Sequence, residues 1–217
     1  REPGPVAKGG AGGPATGGVF LKGEQKSGEE AALKLTMATG GWSPGTNGAV
    51  RGPVIGVAIE KVEDLQQYKG KLKGAIVVLG KPVETQMPVN PMLTPWGEET
   101  IPIALPKSDK PFDFETYIKL RTASMNFFAD EKAAAVLTGS EKWYDLLNMS
   151  ASGRNYQPAA IPTAYIAREN LTMLWRLLEA GAVQAEVNVG GSFSGKPAEV
   201  HNTVAEIRGS EKPDEVV

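Results

Sequence analysis

The sequence predicts an α+β domain, and three observations lead to that prediction. The chain has 217 residues, of which 41% are hydrophobic and 22% are charged, and a chain of this length and composition can bury a sizeable core. Short β-branched segments bounded by glycine, which are typical of strands, occur in both halves of the chain. From residue 47 onwards the expected order is strand, strand, long loop, helix, strand, strand, helix and strand. This irregular order favours an α+β domain over a regular alternation of strands and helices.

The beginning of the chain is rich in glycine and proline. Residues 1–18 contain the run GGAGGPATGG, and we expect a flexible lead-in there because these residues bury little surface. A phosphate-binding loop is excluded, since no Gly-Lys-Ser/Thr follows the run. Next, Ser27 and Glu30 fit a capping box and Gly40 fits a helix stop, which predicts a helix over residues 28–38. The LKLTM run inside that segment also fits a strand.

Residues 47–80 predict two strands with a short helix between them. The segment NGAVRGPVIGVAI at 47–59 is β-branched and punctuated by glycine, which indicates a bent strand. The segment VEDLQQY at 62–68 fits one or two helical turns. The run from Ala75 to Leu79 is apolar and bounded by glycines, as a buried strand would be.

The next segment, residues 81–113, is a Pro-rich excursion. Its prolines lie at positions 82, 88, 91, 95, 102, 106 and 111. Proline at this density is incompatible with a central strand or a helix interior. Excursions of this length are typical of functional or mobile segments.

The remainder of the chain shows both periodicities. We expect a helix at 112–130, a strand at 133–139, a polar loop at 144–158, a strand at 161–167, a helix at 169–181 and a strand at 182–193. The first helix has apolar residues at 114, 118, 125 and 128, interrupted by Arg121. The second helix is the clearest element, and one of its faces carries Leu171, Leu174, Trp175 and Leu178.

Composition excludes most catalytic chemistry. The net charge of −2 provides no basic surface for nucleic acid or an anionic membrane. The chain has no cysteine and a single histidine, His201, whereas a catalytic zinc site typically takes two or three histidines. No Gly-x-Ser-x-Gly motif is present. We therefore expect no catalytic residue, no metal ligand and no cofactor in this chain.

Aromatic residues near the expected loops are the candidates for a binding site. Trp143, Tyr144 and Tyr156 flank the 144–158 loop, and Trp96 lies on the Pro-rich excursion. These side chains fit a recognition surface, but aromatic residues near strand ends also commonly form the rim of a core. The sequence leaves both interpretations open.

Three stretches of the chain together resemble a known family. SPGTNGAVRGPVIGVAIEKVEDLQQYKGKLKGAIVVLG and IPTAYIARENLTMLWRLLEAG resemble the two halves of a protease-associated (PA) domain. NTVAEIRGSEKPDEVV resembles the strand that opens the catalytic domain of zinc exopeptidases related to aminopeptidases and plasma glutamate carboxypeptidase. In that family the next segment contains a His and an Asp that bind zinc. The family's Gly-Ala before the central strand is replaced here by Ala133-Ala134-Ala135, and the excursion has no clear counterpart.

The resemblance implies a swivelling β/β/α fold with a small, partly closed sheet flanked by two helices. It divides the chain into the lead-in, a PA-like domain at 19–197, and the opening strand and turn of a peptidase domain at 198–217. It implies a non-catalytic accessory domain of a secreted or periplasmic zinc metallopeptidase, acting as a lid or a substrate-recognition module. Zinc would then belong to the catalytic domain, and the partners would be that domain and its peptide substrate.

Two other functions remain open at this point. The chain fits a free-standing interaction domain that binds a peptide or a glycan through the segments at 81–113 and 144–158. The other hypothesis is that the chain is an enzyme in its own right, and the counts of histidine and cysteine argue against it.

Overall fold

The computed structural model describes residues 8–21, 32–82, 113–148, 150, 152–153 and 157–197. The strands are β1 (Lys8–Leu21), β2 (Ala32–Lys34), β3 (Met37–Thr39), β4 (Val50–Val57), β5 (Ile76–Leu79), β6 (Ala135–Gly139), β7 (Thr163–Ile166) and β8 (Val183–Pro197). The helices are a 3₁₀ helix (Val62–Tyr68), α1 (Phe114–Asp130) and α2 (Arg168–Ala180). The one or two helical turns predicted at 62–68 form a 3₁₀ helix, which is wound more tightly than an α-helix.

The described strands form one mixed sheet in the order β2-β1-β8-β4-β5-β6-β7-β3. The four neighbours β4, β5, β6 and β7 run parallel, and the other pairs are antiparallel. Strand β4 connects the two regions, because Val50–Pro53 pairs with β8 whereas Val54–Val57 pairs with β5. The strand thus changes partners within the segment for which the glycines predict a bend.

The sheet curls until its two edges meet. Its edge strands, β2 and β3, are separated in the chain only by Leu35 and Thr36. The backbone N–H of Leu35 donates to the carbonyl oxygen of Gly17 on β1 at 2.9 Å. The hydroxyl of Thr39 donates to the carbonyl oxygen of Gly190 on β8, also at 2.9 Å. The predicted α+β class, with a small and partly closed sheet between helices, is confirmed.

Two hydrophobic cores lie on opposite faces of the parallel strands. One core contains side chains of α2, of β8 and of alternate positions in the parallel strands, such as Ile76 and Val78. The other contains side chains of α1, of the 3₁₀ helix and of the intervening positions, such as Val77 and Val136. This alternation follows from the period of two in a strand. The predicted face of α2 is confirmed, since Leu171 and Leu174 are buried and Trp175 and Leu178 pack against the same core.

Two glycines allow α2 to approach the sheet closely. A Cβ atom at Gly139 would lie within van der Waals overlap of Leu171, whose Cγ would be 3.1 Å away. A Cβ atom at Gly56 would lie 2.9 Å from Cη2 of Trp175. Both distances are shorter than ordinary contacts, so larger residues at these positions would push the helix away.

The prediction of a flexible lead-in is wrong for residues 8–18. These residues belong to β1, which pairs with β8 along its length, and Val19 next to them is fully buried. Glycine does not prevent a strand when a partner strand is available for backbone hydrogen bonds, as β8 is here. It also permits close packing, since a Cβ at Gly17 would lie 2.6 Å from Sδ of Met37. The helix predicted at 28–38 is also wrong, because its described residues form β2 and β3. The strand alternative for LKLTM fits the structure.

The other elements expected between residues 47 and 193 are confirmed, with bounds that differ by a few residues. Of the Pro-rich excursion predicted at 81–113, residues 83–112 lie outside the described residues, as do Trp96, Tyr156 and His201. The opening strand and turn expected at 198–217 lie outside them too.

Candidate functional site

The carboxyl ends of the four parallel strands meet at one edge of the sheet. The segments that follow these strands are 58–60, 80–82, 140–148 and 167–169, and we call them together the carboxyl-end surface. Ligands of α/β sheets bind outside the carboxyl ends of parallel strands, because loops and helix N-termini converge there. This edge is therefore the candidate binding site of the domain.

Helix α1 brings its first turn to the same edge. Its end lies near the start of the parallel strands, where the N–H of Gly74 donates to the carbonyl oxygen of Lys132 at 2.8 Å. Its middle lies near the end of β7, where the guanidinium of Arg121 donates to the hydroxyl of Tyr165 at 3.2 Å. The helix thus runs antiparallel to the strands. Its first turn presents Phe114 and Tyr117, which are both exposed.

Arg121 is held between two tyrosines, which explains the polar residue in the apolar stripe of α1. Its guanidinium donates to the hydroxyls of Tyr117 and Tyr165. Burial alone would lower the pKa of Arg121, but the hydrogen bonds to the two hydroxyls outweigh this effect and raise the pKa. The charge is therefore retained at all ordinary pH values and positions the two phenol rings.

A buried serine organises the loop that follows β6. Ser140 is buried, and its hydroxyl donates to the carbonyl oxygen of Leu146 at 2.7 Å. The same oxygen accepts hydrogen bonds from the N–H groups of Lys142 and Asn148, each at 3.1 Å. One hydroxyl thus satisfies three backbone groups of the loop, which would otherwise lack partners. This network fixes the path of residues 141–147.

The Trp143 ring contacts Arg168, the first residue of α2. Cζ of Arg168 is 4.4 Å from the centre of the Trp143 ring, which is a cation–π contact. Arg168 is itself buried, so its charge is largely removed from water at this position. Such desolvated contacts contribute about 2 kcal/mol or more. Trp143 therefore holds the loop against the beginning of α2.

Tyr144, the next residue, points away from the protein. Its backbone N–H donates to the Glu169 carboxylate at 3.0 Å, and its φ of 63° lies in the left-handed region, as does that of Asp145. Two successive non-glycine residues in this region are uncommon and store backbone strain. Tyr144 is 65% exposed, and Leu146, two residues later, is 58% exposed.

Lys81 and Trp175 border the opposite side of this surface. The indole N–H of Trp175 donates to the carbonyl oxygen of Gly80 at 2.8 Å. The ammonium group of Lys81 lies 5.8 Å from the centre of the same ring. Both contacts tie α2 to the segment that leaves β5.

The structure separates the aromatic residues that the sequence singled out. Trp143 makes a packing contact with Arg168, whereas Tyr144 is 65% exposed. Whether they recognise a ligand stays a prediction. Sequence reasoning missed Ser140, Arg168 and Glu169. Ser140 and Arg168 directly follow predicted strands and Glu169 comes next, so the rule on carboxyl ends of parallel strands would have found them.

Among the described residues, no three His, Cys, Asp or Glu side chains lie close enough together to hold a metal ion. Zinc, which the resemblance implies for a peptidase domain, thus has no ligand set in this part of the chain. The surface offers exposed aromatic and aliphatic side chains on a rigid base, which is the composition of a protein or peptide contact.

No helix in the described part of the chain is long and apolar enough to cross a membrane.

Comparison with known proteins gives matches among solved structures. No family model matches the chain, and no curated protein matches it. The peptidase M28 precursor from Shewanella amazonensis SB2B matches with a TM-score of 0.54 and 15% identity, over 86% of this chain and 36% of that one. An aminopeptidase from Aneurinibacillus sp. strain AM-1 matches with a TM-score of 0.49 and 16% identity, over 85% and 32% of the two chains. BSAP, a zinc aminopeptidase from Bacillus subtilis, matches with a TM-score of 0.47 and 12% identity, over 86% and 33%.

The likeness to the Shewanella protein concerns the fold. At 15% identity it transfers no residue and no activity to this chain. The chain spans about a third of the length of the structures that it matches. The fold of this chain is thus also present as part of a larger peptidase.

Proposed function

We propose that this chain is a non-catalytic accessory domain of a metallopeptidase, in the manner of a PA domain, and that its carboxyl-end surface contacts the peptide substrate or the catalytic domain. The observation that supports the proposal most is the unequal coverage, in which 86% of this chain matches only 36% of a peptidase precursor. In this proposal the chain corresponds to a part of such an enzyme that carries no chemistry of its own. The zinc and the catalytic residues would then belong to the remainder of the parent protein.

The geometry of the carboxyl-end surface supports a contact role. Ser140 and the Arg168–Trp143 contact make the 140–148 loop rigid before any partner arrives. A rigid loop loses little conformational entropy on binding, so its exposed side chains contribute more of their contact energy to affinity. Tyr144 is an amphipathic ring of the kind that is enriched in interfaces. Together with Leu146 it provides an apolar contact at the rim of the sheet.

The partners and the location follow from the same proposal. The partners are the peptidase domain of the parent chain and its peptide substrate, and the role is that of a lid or a wall that controls access. We place the parent protein outside the cytoplasm, in a secreted or periplasmic setting, on the resemblance to PA-containing exopeptidases.

A free-standing interaction domain is the second candidate. The exposure of Tyr144 and Leu146 on a rigid loop favours it, because such a surface binds peptides or glycans without any peptidase domain. In that case the same residues would bind their ligand in the isolated chain.

The decisive experiment combines metal analysis with an activity assay. The purified chain is dialysed, its zinc is measured by elemental analysis, and it is tested on aminoacyl and dipeptide substrates with and without a chelator. We expect less than one zinc per chain and no turnover. One zinc per chain that survives dialysis, or turnover that the chelator abolishes, would overturn the accessory-domain proposal.

A second experiment distinguishes the two candidates. The parent protein is prepared with Tyr144→Ala and Leu146→Ala together, and with Lys69→Ala as a control at an exposed site on the opposite end of the sheet. We expect a higher KM for long peptides and an unchanged kcat for a small aminoacyl substrate. A parent gene that encodes no peptidase domain would instead support the free-standing domain.

A further inference from the structure

Two buried hydroxyl groups lie away from the carboxyl-end surface and have no partner among the described residues. Ser152 is 8% exposed and Thr163, the first residue of β7, is 5% exposed. Neither Ser152 Oγ nor Thr163 Oγ1 makes a hydrogen bond to any described group. Burying a hydroxyl without a hydrogen bond costs about 1–3 kcal/mol, and native proteins rarely accept this cost.

The two oxygen atoms lie close to each other across Gly40. A Cβ atom placed on Gly40 would be 2.0 Å from Ser152 Oγ and 3.0 Å from Thr163 Oγ1, so the two oxygens are separated by at most about 5 Å. A water molecule that makes two hydrogen bonds of about 2.8 Å can bridge oxygens over such a distance. The Ser152 hydroxyl occupies the position that a Cβ atom at residue 40 would take, so Gly40 allows it to approach the backbone beside Thr163.

The neighbouring polar groups are already satisfied. The N–H of Gly40 donates to the carbonyl oxygen of Thr163 at 3.0 Å, and its own carbonyl oxygen accepts from the N–H of Ser43 at 3.1 Å. The hydroxyl of Ser43 accepts from the N–H of Thr163 at 2.7 Å and donates to the carbonyl oxygen of Pro44. The carbonyl oxygen of Gly41 accepts from the N–H of Ser152 at 2.6 Å. Ser152 Oγ and Thr163 Oγ1 are the buried side-chain oxygens here that lack a partner among the described residues.

We infer that one internal water molecule binds between Ser152 and Thr163 and is a constitutive part of this fold. Each hydroxyl can donate one hydrogen bond and accept others, which matches the two donors and two acceptors of water. Globular proteins hold roughly one buried water per 27 residues, typically at buried polar groups of this kind. A metal cation fits less well, since the two groups are neutral hydroxyls and the described residues contain no group of three His, Cys, Asp or Glu side chains that could hold a metal ion.

The water would connect three segments that are distant in sequence. Ser152 belongs to the segment between β6 and β7, Thr163 begins β7, and Gly40 begins the link from β3 to β4. The same junction includes the N–H of Ala159, which donates to the carbonyl oxygen of Trp42 at 2.8 Å. The water thus adds a polar connection at the amino end of β7, opposite to the carboxyl-end surface.

Substitutions that remove one hydroxyl at a time test this inference. Thr163→Val and Ser152→Ala keep the shape of the side chain but remove one partner of the water, and the double variant removes both. We expect each single variant to lower the Tm by about 2–4 °C, as the loss of one net hydrogen bond does in a chain of this size. The double variant should lose less than the sum of the two, because both substitutions break the same bridge. Thr138→Val, at a partly exposed hydroxyl on β6, is the matched control and should change the Tm little.

Two results of the same measurements would overturn the inference of a bound water. If the two hydroxyls are dry, Thr163→Val replaces an unsatisfied polar group by a methyl group and raises the Tm, which overturns the inference. Fully additive losses in the double variant would also overturn it. Should a variant fail to fold, a high-resolution structure of the unaltered protein decides. An ordered water within about 3.2 Å of both oxygens supports the inference, and a direct Ser152–Thr163 hydrogen bond refutes it.

Discussion

Truncating leucines of graded burial gives a direct measure of how the α2 face contributes to stability. Leu174 is fully buried in the core between α2 and the sheet, Leu178 packs against that core from a partly exposed position, and Leu146 lies on the exposed loop. Each is changed to alanine in a separate variant. The chemistry of the change is identical in all three, so the difference between them reports the surroundings alone.

The expected magnitudes follow from burial. Leucine to alanine removes three carbon atoms, and at about 0.8 kcal/mol for each buried CH₂ the transfer cost is about 2.4 kcal/mol at a fully buried site. The cavity left behind adds to this, which brings Leu174→Ala to about 3–5 kcal/mol. Leu178→Ala should cost roughly half as much, because part of its side chain is already in water. Leu146→Ala should change the free energy of unfolding by less than about 0.5 kcal/mol.

Urea denaturation followed by circular dichroism measures these differences, provided that the m-value stays constant across the series. The urea concentration at the unfolding midpoint should be highest for Leu146→Ala, intermediate for Leu178→Ala and lowest for Leu174→Ala. If Leu174→Ala unfolds at the same urea concentration as Leu146→Ala, then α2 does not pack on the sheet as described and the reasoning about its apolar face is refuted.

Two further predictions concern polar groups. Ser140→Ala should lower the free energy of unfolding by about 1–3 kcal/mol, because three backbone groups of the 140–148 loop lose their shared partner, and Ser150→Ala, at an exposed position, is the control in the same denaturation assay. The carboxylates of Asp113 and Asp64 should make the fold sensitive to acid. The hydrogen bond from the Thr116 hydroxyl, assisted by that from its N–H, lowers the pKa of Asp113, and the N–H groups of Glu60 and Lys61 lower that of Asp64. Since both folded-state pKa values lie below the unfolded value of 3.8, this stabilisation is present above pH 3.8 and is lost as the pH falls further, through the folded-state values. The Asp113→Asn variant should show a weaker dependence of Tm on pH in that acid range than the unaltered chain, and an identical dependence would contradict the assigned role.

The elements that could be predicted are those whose signal is local. The α2 face, the alternation in β8 and the short apolar runs of β5 and β6 each express a period that the sequence contains within a few residues. Strand β1 carries no such signal, because its glycines have no side chains to alternate and its conformation depends on pairing with β8. Strands β2 and β3 were ambiguous because they are only three residues long each.

The candidate site was predictable only in part, for a similar reason. Trp143 and Tyr144 attract notice as aromatic residues in a polar loop, but their different roles depend on contacts with Arg168 and Glu169, about 25 positions later. The parallel pairing of β6 and β7 brings these residues together. The sequence order of strands and helices suggested an irregular fold, and this concealed the run of four parallel strands whose ends form the surface.

The pairing of β1 with β8 has a consequence for the order of folding. Leu21 faces Val183 and Lys8 faces Pro197, so β1 finds its main partner only when nearly all of the described chain has been synthesised. Contacts between such distant positions form late, because the loop between them must close before they contribute energy. Until then β8 is absent, and Val19 lacks the β8 side chains that share its core, such as Ala185 and Val187. The glycine content of β1 suits this delay, since a strand with few apolar side chains offers little to which other unfolded chains can adhere.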